Sequence, residues 1–138
     1  MINALPAGVS FTMASFCHQI AFISEPPRLM PATPDNKKKA VDWVRGLEAM
    51  GETWTDTVLE RTLGEIPDVD TVFLLSDGMP FRNGAFIDKD KVREEIKVLN
   101  RFVKARINTI GFIQEGMNLQ KFLMGVAAEN DGKYTPLK

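Results

Sequence analysis

The hydrophobic positions along the chain change period several times, and each change marks a new element. Ser10–Phe16 and Gln19–Ile23 read as two short strands separated by a tight connection at Cys17 and His18, which predicts an antiparallel hairpin. The next segment holds Pro26, Pro27, Pro31 and Pro34. Prolines at that density forbid a continuing ladder or a helix interior, because each lacks an N–H. Thr33 ends this connector as the cap of a helix whose first residue is Pro34, with Asp35 near the positive end of the dipole. Ala40, Val41, Val44 and Leu47 form an apolar stripe on that helix. It is predicted to run to about Met50, with Gly51 as its left-handed terminator.

A second helix is predicted from about Thr55 to Leu63, with Leu59 and Leu63 one turn apart, Gly64 near its end and Pro67 beyond. Thr71-Val72-Phe73-Leu74-Leu75 is a continuous apolar, partly β-branched run, the form of a strand buried on both faces, and it ends at Ser76-Asp77-Gly78. After a polar loop, Val92, Ile96, Leu99 and Val103 recur at helical spacing. Asn108 to Ile113 is another buried strand. The last helix, capped by Asn118, carries Leu119, Phe122, Leu123, Val126 and Ala127 on one face and ends before Gly132. Tyr134 and Thr135 then form a closing edge strand. This order predicts one α/β domain over residues 1–138, with a Rossmann-like, mostly parallel sheet, an antiparallel edge hairpin and helices on both faces.

Composition narrows the function classes. Seventeen basic residues stand against eighteen acidic ones, for a formal charge of −1, so no net field draws the domain to nucleic acid or to an anionic membrane. Lys37-Lys38-Lys39 reads as a solvated helix face. Cys17 is the single cysteine, which excludes an internal disulfide and disfavours structural zinc. His18 adjoins it, but neighbours in a strand point to opposite faces and make a poor thiolate and base pair. No run reaches the roughly 18–20 apolar residues of a spanning helix, and no basic leader precedes a hydrophobic stretch, so a cytoplasmic location is the default expectation.

In an open parallel sheet, ligands bind at the carboxyl ends of the strands. Ser76-Asp77-Gly78 occupies such an end: Asp77 offers a hard oxygen to a cation, and Gly78 allows a sharp turn. The same residues are also an ordinary turn. The pattern around them is more specific. Gly51-Glu52-Thr53, Leu59 and Leu63, and the strand ending Leu74-Leu75-Ser76-Asp77-Gly78-Met79-Pro80 resemble the second half of a von Willebrand factor type A domain. Leu5-Pro6 with Val9-Ser10-Phe11, Ala32-Thr33-Pro34-Asp35-Asn36, Ile107-Asn108-Thr109-Ile110-Gly111 and Ala127-Ala128-Glu129-Asn130-Asp131-Gly132-Lys133-Tyr134 extend the resemblance over nearly the whole chain.

The resemblance implies a module that binds Mg²⁺ through three loops and completes the ion's shell with an acidic side chain of a protein partner. It makes Thr53 and Asp77 the metal residues, with Ser76 and Gly78 beside them as binding residues. The first of the family's loops, Asp-x-Ser-x-Ser, occurs nowhere in the sequence, and Trp54 stands where a smaller or polar residue is usual. With Thr53 and Asp77 alone, Mg²⁺ binding no tighter than about 10⁻³ M is expected, weak or absent in this chain. The alternative is a metal-free scaffold in which Thr53 caps a helix and Asp77 opens a turn. Mg²⁺-dependent phosphoryl transfer is a third reading, but no glycine-rich phosphate loop, no nucleophile beside a base and no second carboxylate cluster supports an enzyme. Against the family the chain reads as N-terminally truncated, lacking the first strand together with that loop, and this strand would lie between the strands matched by Ser10–Phe16 and Thr71–Leu75. Those two are therefore expected either to pair directly or to leave edges through which two chains form a homodimer.

Overall fold

A computed structural model describes residues 1–48, 51–112 and 117–138. After a short 3₁₀ turn at Ile2–Ala4, strands β1 (Ser10–Phe11), β2 (Ala14–Phe16), β3 (Ile20–Phe22) and β4 (Met30–Pro31) precede helix α1 (Pro34–Arg45). Helix α2 (Thr55–Glu65), strand β5 (Thr71–Ser76), strands β6 (Phe81–Arg82) and β7 (Ala85–Phe86), helix α3 (Lys89–Val103), strand β8 (Arg106–Phe112), helix α4 (Met117–Glu129) and strand β9 (Tyr134–Leu137) follow. The main sheet has the order β5-β8-β9, and both of its pairs are parallel. The mixed α/β class with a parallel sheet and an antiparallel hairpin is therefore present.

The N-terminal strand differs in detail from expectation. Ser10–Phe16 is broken: β2 pairs with β3 in the predicted hairpin, but β1 pairs with β4 inside the proline-rich connector. A two-residue edge pair tolerates Pro31, because the ladder is continued by the N–H of Ala32, which donates to Val9 O at 2.9 Å. The predicted start of α1 is seen, with Thr33 Oγ1 accepting from Asn36 N at 3.2 Å. Its end is not. The helix stops at Arg45 and Gly46 caps it, since glycine carries a helix poorly and Leu47, 42% exposed, buries too little to hold another turn. Gly51 does take a left-handed φ of 76°, but beyond the helix; the predicted extension to Met50 falls partly on Ala49 and Met50, outside the described residues.

Further along, α4 begins at Met117, so Asn118 lies within its first turn instead of capping it. β8 starts two positions before the expected Asn108, and Ile113 lies outside the described residues. The larger correction concerns β5. Leu74 and Ser76 are buried, but Phe73 and Leu75 on the opposite face are 61% and 52% exposed, so the strand is buried on one face only. The register sets Val72, Leu74 and Ser76 beside Ile107, Thr109 and Gly111, and onto this face pack Val58, Leu59 and Leu63 of α2, Val92 and Ile96 of α3 and Leu119, Phe122, Leu123 and Val126 of α4. A smaller cluster, Phe22, Ile66 and Val69, joins the β2–β3 hairpin to this core. Direct pairing of β2 with β5 is not formed.

Candidate functional site

At the carboxyl end of β5 the chain folds back on itself within three residues. Ser76, 5% exposed, donates its hydroxyl to Gly78 O at 2.9 Å and accepts from Gly78 N at 3.3 Å, which fixes the turn around Asp77. Asp77 is exposed at the apex, with no ion pair or hydrogen bond among the described residues. Thr53 reaches the same turn from the segment before α2. Its backbone bonds to Phe81 in both directions, N to O at 3.0 Å and O from N at 2.9 Å, and its Oγ1 lies 2.9 Å from where a Cβ on Gly78 would stand. Only glycine leaves room there. Thr53, Ser76, Asp77 and Gly78 are thus brought to one edge of the sheet, although Ser76 is engaged by the turn.

The neighbouring residues explain why Thr53 sits where it does. Asn83 and Gly84, at φ 55° and 77°, form the tight turn of the β6–β7 hairpin. Glu52 clamps that turn: its carboxylate accepts from Gly84 N at 2.8 Å, Asn83 N at 3.0 Å and Trp54 Nε1 at 2.7 Å. The Trp54 indole first, then the two backbone N–H groups, hold the Glu52 carboxyl below the ordinary carboxylate range. Trp54, unusual for the resembled family, therefore anchors the threonine loop to the hairpin. Arg82 adds an ion pair to Asp56 at 3.1 Å and donates to Thr57 Oγ1 at 3.0 Å. Neither the clamp nor the hairpin is among the predicted elements, although Asn83-Gly84 between Phe81-Arg82 and Ala85-Phe86 is a strong hairpin signal.

As a cation site the donor set fits poorly. Asp77 supplies one carboxylate and Thr53 one hydroxyl, the Ser76 hydroxyl is engaged, and Asp56 is neutralised by Arg82. No group of three or more acidic, histidine or cysteine side chains that could hold a metal occurs among the described residues. Mg²⁺ requires near-octahedral oxygen coordination, so water would fill most of its positions. Cys17 Sγ contacts Gln19 O at 3.8 Å, and the His18 ring lies against Gly51.

No family model matches the sequence, and no curated protein matches it. The fold does match a solved structure. A von Willebrand factor type A protein from Catenulispora acidiphila superposes with a TM-score of 0.71 at 17% identity, over 99% of this chain and 32% of that one. The architecture is that of a von Willebrand factor type A domain, and the chain spans about a third of the length of the solved chain it matches. No helix among the described residues is long and apolar enough to cross a membrane.

Proposed function

We propose that the chain is a protein-binding module whose recognition face is the carboxyl edge of the sheet around Thr53, Ser76, Asp77 and Gly78. The observation that supports this reading is the close approach of the Thr53 hydroxyl to Gly78, the residue that follows the exposed Asp77, at the end of a parallel strand, where open sheets bind ligands. A protein partner with an acidic side chain fits if Mg²⁺ bridges it to Asp77. Without the ion, two carboxylates would repel. Alone, the metal would be held weakly by Thr53 and Asp77, and the partner's carboxylate would supply the charge that the site lacks. The poor donor set favours a second reading, a metal-free scaffold.

Titration of the ¹⁵N-labelled protein with MgCl₂, alone and with a glutamate-containing peptide, separates the two. Shifts at the amides of Thr53, Asp77 and Gly78 are expected only at about 10⁻³ M Mg²⁺ or above, and at lower concentrations with the peptide. Asp77→Ala should remove both responses without unfolding the domain. Unchanged peptide binding by Asp77→Ala, or no response to Mg²⁺ with peptide present, rejects the bridged site and leaves the scaffold.

A further inference from the structure

The Thr53 segment, β6 and β7 form a small antiparallel sheet of their own. Thr53 and Phe81 exchange both backbone hydrogen bonds, at 3.0 and 2.9 Å, so they are a directly opposed, hydrogen-bonded pair. Across the hairpin Phe81 is opposed by Phe86, and Ile87 N donates to Pro80 O at 2.9 Å. The backbone groups of Phe81 are turned towards Thr53, which makes Phe81 and Phe86 a non-hydrogen-bonded pair, the kind whose side chains stand closer together. Their rings meet edge to face, with centroids 5.0 Å apart.

Directly opposed residues of an antiparallel ladder direct their side chains to the same face. Thr53, Phe81 and Phe86 therefore form one row on one face of this sheet, and the Thr53 hydroxyl is the member that approaches Gly78. Usual Cα separations of about 5.5 Å for the first pair and about 4.5 Å for the second put Phe86 roughly 10 Å from Thr53. Phe81 is half-buried, whereas Phe86 is 75% exposed. A lone exposed aromatic needs no partner. Phe86 differs in being held: Phe81 backs its ring, Glu52 fixes the turn at Asn83 and Gly84, and Arg82 ties the hairpin to Asp56 and Thr57. An aromatic side chain ordered before contact loses little conformational freedom on binding, and such residues dominate interfaces.

We propose that Phe86 is the apolar contact of the recognition face, and that the protein partner carries a large aliphatic side chain two or four positions from its acidic one. The inference rests on the reading of Thr53 and Asp77 for the place of the partner's carboxylate, and it adds a source of selectivity among acidic segments. A single carboxylate on a largely hydrated ion distinguishes little between such segments. Removing an aliphatic side chain and the ring of Phe86 from water supplies the difference. The spacing follows from the row. An extended segment advances about 3.3 Å per residue and returns to the same face at every second one, so two and four positions, about 7 and 13 Å, bracket the separation of roughly 10 Å.

The test uses the whole chain in excess MgCl₂ and a synthetic peptide of about nine residues with a central glutamate, leucine two and four positions away on both sides, and serine between. A second peptide has alanine for each leucine, and a third has glutamine for the glutamate. The leucine peptide is expected to bind at least about tenfold more tightly than the alanine peptide. Its methyl protons should show cross-relaxation with the Phe86 ring. Phe86→Ala should bring the leucine and alanine peptides to equal affinity, and Phe86→Leu should restore most of the difference. Equal affinities in the unaltered chain, or leucine methyls that do not contact Phe86, would overturn this inference and leave the reading of Thr53 and Asp77 intact. Failure of both glutamate peptides to bind, or a glutamine peptide that binds as tightly as its glutamate counterpart, would overturn that reading and the pairing of the two contacts with it.

Discussion

Glu52 shows how much one side chain at the edge of the site decides. Its carboxylate gathers an indole N–H and two turn N–H groups, and these contacts lower its proton affinity in the folded state. A carboxyl depressed by folding contributes stability that is complete above its ordinary value of 4.5 and is lost as pH falls through the lower folded value. Acidification below the ordinary range should therefore release the β6–β7 turn before the protein loses its core. The Trp54 indole N–H resonance is the readout. Its titration should have a midpoint below 4.5 and vanish in Glu52→Gln; a midpoint at or above the ordinary value would show that the clamp is not formed in solution. Residue-scale features of this kind were unevenly legible. Thr33 as a cap could be read because the bond it makes spans three residues, whereas Glu52 reaches a turn some thirty positions away and has no local signature.

Among elements, the joint between α3, α4 and β8 depends on two buried amides. Asn100 Nδ2 donates to Ala105 O at 2.7 Å and to Asn130 Oδ1 at 3.0 Å, and Asn130 Nδ2 donates to Val126 O at 2.8 Å. Gly132 lies so close to β8 that a Cβ there would fall 1.8 Å from Ile107 O. Asn130→Ala leaves Val126 O and one Asn100 proton without that partner, and thermal unfolding should register a loss of about 1–3 kcal/mol, the cost of an unmade buried hydrogen bond. A loss within a few tenths of a kcal/mol would mean that water replaces the amide. Element order and type were readable from apolar period. The limits were set by packing: α1 ends early where Leu47 finds no cover, and β5 reads as doubly buried because its apolar run does not reveal that nothing described lies over Phe73 and Leu75. The β6–β7 hairpin is signalled by Asn83-Gly84, but its two-residue strands are too short to show an apolar period in a stretch that is otherwise polar.

At the scale of the whole molecule the candidate site was legible only through family resemblance. Asp77 after an apolar strand is common to many turns, and Thr53 joins it only because Gly78 admits the hydroxyl. The distribution of the core has a separate consequence. Every buried member of the main cluster lies between Val58 and Val126, whereas the first helix buries only Ala40. The molecule should therefore open in two stages: a shallow one in which the N-terminal third detaches, and a deep one that dissolves α2 to β9 together. Under native conditions, hydrogen exchange should give the amides of Ala40 to Arg45 opening free energies well below those of Ile107 to Gly111, with low denaturant lowering the deep class and leaving the shallow one nearly flat. Equal values throughout would mean that the N-terminal third and the sheet unfold as one.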